Sequence, residues 1–395
     1  MEGRILHVVG DSKLGGASLG IIRLARFWQT LGWGVDVLAT DPQFGRALAA
    51  AGIPVIPADV IWREIRPWAD LKGLWKLYRF LRSHRYTVVH THTTKAGFVG
   101  RIAAGLADVP LVIHTVHGLA FHESSPRMKI LSYTILERIA SWGCQHVITV
   151  SHFHEQWGRR LGIAARKKIR AIPNGIPDRR ISVSRDRQKI RDRWNVREEQ
   201  TVLLTPGRLA PEKGLEDLLE ALGQLPPELR QRLVLLIVGE GELRPDLQRM
   251  AQDAGLGEQV RFTGFQENIP ELLAACDIVV FPTWREGLSI ALLEAMCQGC
   301  AIITTAIGSN REATGDGEGA LLVSPGQPVQ LAAAITTLSN DEVLREQLGI
   351  SARRIYEQRY TQERMLEGYH RLYAESLKEL SNAQTLSPVL SSIDR

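Results

Sequence analysis

Two doubly wound α/β domains in tandem, each a parallel sheet clothed by helices, are the fold class this 395-residue sequence predicts. Three observations predict it. Short β-rich runs alternate with helical stretches of about ten residues, the pattern of βαβ units. The alternation breaks at one charged, irregular stretch, "DRRISVSRDRQKIRDRW", and then starts again. In both halves, strands end in glycine-bearing turns that open helices, where ligands of open α/β sheets bind. Length alone gives a prior of roughly two to three domains.

The first half opens on the strand "RILHVVG", whose following turn carries Gly15 and Gly16 ahead of the helical "LGIIRLARFWQTLG". The runs "VDVLAT", "PVIPA", "TVVHTH", "LVIHTVHG" and "HVITVS" continue the strands, with "GFVGRIAAGLA" between two of them as a helix. After "AIPNGIP" and the charged stretch come "TVLLTPGRL", "LVLLIVGEGE", "VRFTGF", "DIVVFPT", "AIITTAIG" and "ALLVSPG", each leading into a helix. We therefore expect an N-terminal domain over 1–178, a linker over 179–200 and a second domain over 201–360. Beyond it, "YTQERMLEGYHRLYAESLKEL" repeats apolar residues at helical spacing and needs a surface to bury them. The helix expected over 361–380 is assigned back to the N-terminal domain, with 381–395 as a tail.

Bulk properties exclude several classes. A hydrophobic content of 44% with 23% charged residues is globular. The start is charged and turns at once into a strand, unlike a signal peptide. Apolar stretches fall short of the ~20 residues of a membrane-spanning helix, so membrane contact, if made, is peripheral. The cysteines Cys144, Cys276, Cys297 and Cys300 are too few for a disulfide framework, and a reducing cytoplasmic compartment fits. Cys297 and Cys300 lack the further ligands of a zinc site and read as small apolar residues. The net charge of +5 is unevenly held. Residues 1–173 contain 23 Lys/Arg against 11 Asp/Glu, and the remainder is net acidic. A basic first half suits an anionic surface or acceptor.

Chemistry concentrates in the second half. In "TPGRLAPEKG" the cations Arg208 and Lys213 sit between a strand and a helix, bracketed by Gly207 and Gly214, where they suit a diphosphate. "VGEGE" supplies Gly239 and Gly241 at a second strand-to-helix turn, half of a dinucleotide fingerprint. In "REGLSIALLEAMCQG" the amides of Gly287, Leu288, Ser289 and Ile290 lie at a helix start, an anion-binding arrangement. Glu286 precedes that helix and Glu294 lies within it among apolar residues, where a carboxylate wants hydroxyl donors.

These segments, in this order and spacing, resemble glycosyltransferase family 4, whose members have the GT-B fold of two Rossmann-like domains facing a central cleft. "GRLAPEKG", "VGEGE", "RFTGF", the E-x7-E pair Glu286 and Glu294, "GSNREATGDGEGALLV", and in the first half "GGAS", "VVHTHTTKAGFVGRIAA", "HTVHG", "ITVS" and "IPNGIP" carry the likeness over almost the whole chain. The resemblance implies a retaining transfer of sugar from a nucleoside-diphosphate donor, with UDP the family's commoner base. By position it places Glu294 on the ribose, Glu286 on a donor-sugar hydroxyl, Arg208 and Lys213 on the diphosphate, and His117 beside the donor sugar. The turn at Gly15 and Gly16 offers further amides for phosphate. "EGLS" stands where many relatives have "EGFG", so Ser289 leaves the donor sugar open.

No D-x-D sequence occurs, and fixed cations can hold a leaving diphosphate without a metal, so metal-independent transfer without a cofactor beyond the co-substrate is expected. The wording of the first half also resembles the bacterial surface-polysaccharide subgroup, some of whose acceptors are linked to polyprenyl diphosphate. His90, His114 and His152 read as structural, with His92 and Lys95 as candidates for acceptor contact. Tryptophans 62, 68 and 75 lie among Arg63, Arg66, Lys72, Lys76, Arg79, Arg82 and Arg85, which suits an anionic membrane surface at the inner face of the cell membrane. The alternative is that Leu71, Leu74, Trp75 and Tyr78 bury against the first sheet. No nucleic-acid partner is expected. A Rossmann oxidoreductase using NAD, a UDP-sugar epimerase of the same plan and a non-catalytic basic binding protein are the competing readings. Incomplete dinucleotide fingerprints speak against the first, and the intact Arg208, Lys213, Glu286 and Glu294 against the last.

Overall fold

The computed structural model describes residues 3–10, 15–57, 67–119, 121–122, 125–180 and 187–390. Two compact units result: 1–174 with 363–395, and 175–362. The expected Trp62, Arg63 and Arg66 lie outside the described residues.

Unit one is a seven-stranded parallel sheet made of β1 (Arg4–Gly10), β2 (Gly34–Ala39), β3 (Val55–Pro57), β4 (Val88–His92), β5 (Leu111–Val116), β6 (His146–Thr149) and β7 (Ile169–Ala171). Its order is β3-β2-β1-β4-β5-β6-β7, so the chain reverses its direction of winding between β1 and β4. The interiors of β1, β4 and β5 are buried along nearly their whole length, as expected of strands covered on both faces. β7 was not among the expected strands. Its three residues include an exposed Arg170 and give no apolar run to read.

Unit two holds β8 (Thr201–Pro206), β9 (Leu233–Val238), β10 (Val260–Gly264), β11 (Ile278–Phe281), β12 (Ala301–Thr305) and β13 (Leu321–Val323). They are ordered β10-β9-β8-β11-β12-β13, with the reversal between β8 and β11. The doubly wound expectation therefore holds for both sheets, each with one topological switch point. Within the stretch read as a linker, Arg187–Arg193 forms a helix. Its Arg191 is 6% exposed and donates to Asp277, whose carboxylate also accepts from the Val202 amide at 2.7 Å.

The C-terminal helix Gln362–Leu390 continues through residues read as a tail. Met365, Tyr369, Leu372 and Tyr373 are buried with Ile5, Trp28, Val37 and Ile113 in one apolar cluster of unit one. Tyr373 stacks on Trp28 with ring centroids 4.5 Å apart. That cluster gives the amphipathic face its partner.

The basic helix Pro67–His84 divides its apolar residues. Leu77 and Leu81 are buried and Leu74 and Tyr78 pack partly against the core, whereas Trp68, Leu71 and Trp75 are exposed. Neither reading of this segment accounts for all of it. Adjacent to it runs Thr94–Leu106, and next to that Arg127–Ala140, a helix absent from the expectations. Met128, Leu131, Ile135 and Ile139 form an exposed apolar stripe on this last helix, continued by Trp142.

Candidate functional site

In unit two, the turns after β8 and β11 flank the switch point and are tied together. The Glu212 carbonyl accepts from the Trp284 amide at 2.9 Å and from Thr283 Oγ1 at 2.8 Å. Trp284 Nε1 donates to Asp217 at 2.9 Å. Gly214, at φ 62°, lets the turns close, because a Cβ there would strike the Pro282 carbonyl. Sequence reasoning marked neither Thr283 nor Asp217, since both act through chain segments about 70 positions away.

The glycines of this site are required by close backbone approach. Gly207 adopts φ 153° and Gly239 φ 137°, both in the region that side chains rarely adopt. A Cβ on Gly239 would collide with the Gly207 carbonyl, and one on Gly241 with the Leu209 carbonyl. The β8 and β9 turns are packed backbone to backbone, with Leu209 N donating to the Glu240 carbonyl at 3.0 Å.

Onto this floor project the charged residues. Lys213 Nζ contacts the Glu286 carboxylate, with side chains 23% and 17% exposed. Arg208, exposed, pairs with Glu212. Ser309 Oγ donates to the Glu286 carbonyl at 3.1 Å and so fixes that residue's backbone. Gly287 and Leu288 are buried in the turn, and Ser289 caps the helix Ile290–Gln298 by accepting from Leu292 N. The Ser289 oxygen thus turns toward its own helix. Glu294 is half-buried on that helix between buried Leu293 and Ala295. The structure therefore gathers Gly207, Arg208, Lys213, Gly239, Gly241 and the whole Glu286–Glu294 segment around one sheet edge. Cys297 and Cys300 are free thiols, both buried.

In unit one, Gly15 is the N-cap of the helix Gly16–Thr30 and supplies no side-chain cap. Lys95 forms an ion pair with Asp70 at 2.7 Å. His92 is 1% exposed, with His7 on one ring nitrogen at 3.0 Å and His117 on the other at 3.1 Å. It touches His117 rather than open solvent. Thr93, the next residue, takes φ 59°, an uncommon conformation for a β-branched residue, and donates to the Val9 carbonyl at 3.1 Å. A cavity of about 240 Å³ lies beside it, lined by Thr93, Thr94, His117, Phe121, Tyr133 and Glu137 among others. Glu137 is held by the fully buried Arg101 at 2.8 Å.

Strand register builds the histidine cluster. His7 pairs with His90 across β1 and β4, and His92 with Thr115 across β4 and β5. A ring nitrogen from each of His7, His90 and His92 lies within 4.8 Å of the others, a spacing that can hold a metal ion. His90, however, already has Thr115 Oγ1 and the Tyr373 hydroxyl, each at 2.7 Å, on its two nitrogens. Its neighbours complete its hydrogen bonds without an ion. Burial lowers every pKa in the group, to about 3 for His7 and about 4 for His117, and well below the ordinary value for His90, His92 and His114. Sequence reasoning missed His7, whose place in "RILHVVG" looks like any strand interior.

Comparison with known proteins finds two successive matches. Residues 15–175 match a glycosyl transferase 4-like domain and residues 186–355 match glycosyl transferases group 1. The chain is 33% identical over 251 residues to the UDP-Gal:α-D-GlcNAc-diphosphoundecaprenol α-1,3-galactosyltransferase of Escherichia coli, covering 63% of this chain and 65% of that protein. It is 24% identical over 391 residues to the capsular polysaccharide biosynthesis glycosyltransferase CapM of Staphylococcus aureus, covering 95% and 98%. Among solved structures, Anabaena HepE in complex with UDP and glucose superposes with a TM-score of 0.81 at 25% identity, covering 96% of this chain and 100% of that one.

Proposed function

Because the chain belongs to the GT-B glycosyltransferases, we propose that it transfers a sugar, with retention of anomeric configuration, from a UDP-sugar to a glycan or polyprenyl-diphosphate-linked acceptor in cell-surface polysaccharide synthesis. One observation carries this reading: the Lys213–Glu286 pair and the neighbouring Arg208 stand on the glycine-built turns at the unit-two switch point, beside the Ser289-capped start of the helix Ile290–Gln298. Lys213 and Arg208 hold the diphosphate. Glu286 takes a hydroxyl of the donor sugar, Glu294 the ribose, and His117 a further sugar hydroxyl.

As the bond from the anomeric carbon to phosphate breaks, the leaving oxygen gains charge, and fixed cations stabilise that state more than the ground state. The acceptor oxygen bonds to the anomeric carbon on the face the diphosphate leaves, and its proton passes to a leaving phosphate oxygen. Lys213 and Arg208 perform the charge stabilisation that a divalent ion supplies elsewhere, so we assign the reaction as metal-independent. UDP is favoured because the E. coli relative is named for UDP-Gal and HepE was solved with UDP.

The acceptor is assigned to the basic unit one, and the exposed stripe of Arg127–Ala140 with Trp68, Leu71 and Trp75 supports a peripheral membrane site for it. No described helix is long and apolar enough to cross a membrane. Calorimetry with UDP, GDP, ADP and NAD tests the donor, followed by transfer assays with UDP-sugars with and without EDTA. Tight NAD binding with no nucleoside-diphosphate response overturns the reading. NMR of the product linkage tests retention.

A further inference from the structure

Three imidazoles of unit one are strung in series. His117 Nε2 lies 3.1 Å from His92 Nδ1, and His92 Nε2 lies 3.0 Å from His7 Nδ1. Successive rings are inclined by 25° and 24°. The two outer nitrogens, His117 Nδ1 and His7 Nε2, are buried with no hydrogen-bond partner among the described residues.

Each N···N contact needs one N–H and one lone pair, and a neutral imidazole has one of each. Burial keeps these rings neutral at ordinary pH. His92, with a single N–H for two contacts, must then donate one way and accept the other. Only two arrangements remain. Either all three rings carry their proton on Nε2 and the bonds run from His117 to His7, or all three carry it on Nδ1 and the bonds run back. In both, one outer nitrogen is an N–H and the other a lone pair.

We propose that His92 and His7 are positioning residues for His117: the three rings form one hydrogen-bonded relay that switches as a unit and sets whether His117 Nδ1 presents a lone pair or an N–H to a sugar hydroxyl. The sugar as ligand rests on the function proposed above. The switch balances. A proton taken up at His117 Nδ1 displaces the Nε2 proton to His92 Nδ1. His92 passes its own Nε2 proton to His7 Nδ1, and His7 gives its Nε2 proton to solvent water while solvent water supplies the proton taken up at His117 Nδ1, so every ring begins and ends neutral and the net charge is unchanged. The relay lets a buried site exchange donor for acceptor without stabilising an imidazolium.

Nitrogen NMR of the full-length protein labelled at histidine, at pH 7, decides the matter. Resonances are assigned by single substitution. The relay requires His7, His92 and His117 to show the same tautomer, or the same averaged population of two. Mixed tautomers, or a cationic ring among the three, overturn it. UDP-glucose is then added as the probe. His7, buried in β1, should shift in step with His117, and a response confined to His117 also overturns the relay. A silent His117 counts against the sugar assignment, with the relay still judged by its tautomers. In His92→Leu the His7 response should vanish and kcat should fall by ~10-fold or more with donor KM little changed, by analogy with the loss of a group that orients a working imidazole. His92→Asn, whose amide reaches the Nδ1 position, should recover part of that loss. Should His92→Leu fail to fold, the wild-type tautomers and the His92→Asn kinetics remain the test.

Discussion

Replacing Lys213 with alanine separates catalysis from stability most cleanly. Lys213 Nζ meets Glu286 with both side chains about four-fifths shielded, so the pair is neither fully solvated nor dry. An ion pair of this kind stabilises a fold by at most ~1 kcal/mol. In a unit of this size that is a shift of about 2 to 4 °C in Tm. The catalytic loss is larger, because the lost cation faces charge that develops as the diphosphate leaves. Losing one preorganised electrostatic partner costs about 2.7 to 4 kcal/mol, or roughly 10²- to 10³-fold in kcat. The assay pairs initial rates of UDP release with differential scanning fluorimetry on the same preparation. Lys213→Arg keeps the charge and should fall between wild type and alanine. A Lys213→Ala enzyme within about threefold of wild type, at unchanged Tm, refutes the assignment of Lys213 to the leaving group.

Gly239→Ala should lose UDP binding and at least ~2 kcal/mol of stability, read by calorimetry and urea melts, because its φ of 137° and the Gly207 carbonyl both exclude a Cβ. Glu137→Ala leaves the fully buried Arg101 without its carboxylate and should destabilise unit one by about 3 to 5 kcal/mol, measured by denaturant titration. Leu131→Glu with Ile135→Glu should leave Tm unchanged, as both are exposed, yet abolish flotation with acidic vesicles. For pH, the folded values of about 3 for His7 and about 4 for His117 lie below the unfolded 6.5. The unfolded chain therefore binds protons first. Stability is full above pH 6.5 and falls as pH drops toward 4, by about 1.4 kcal/mol per pH unit for each such histidine. Chemical melts at pH 7.5 and 5 should show the drop, and equal stability at both contradicts neutral burial of these rings.

The unit-two site was legible because it is local. A strand, a glycine turn and a helix start lie within ten or so residues, and each leaves its mark in "TPGRLAPEKG" and "REGLSIALLEAM". Their partners were not legible. Asp217 and Ser309 reach the site only when β8 and β11, and then β11 and β12, pair in register. The histidine series lay further still from sequence reasoning, since His7 joins His92 across 85 positions and Tyr373 closes on His90 across 283. Spacing could mark "HTHTT" as unusual, but only register sets its two histidines beside His7 of β1. The helix Arg127–Ala140 was missed although its apolar residues recur at helical spacing; Met128, Leu131, Ile135 and Ile139 are exposed, while Ile130 and Tyr133 pack against the unit-one core.

The Glu212 carbonyl that accepts from both Trp284 and Thr283 has a consequence for anyone wishing to reassign this enzyme's donor. The turns after β8 and β11 behave as a single riveted part, so a loop borrowed from a relative arrives without the mate it was fitted to. Grafting residues 207–217 alone should give chimeras that misplace Lys213 and Glu286 together, while transplanting 207–217 with 282–289 keeps the joint intact. The unit of exchange in this half of the molecule is the pair of turns.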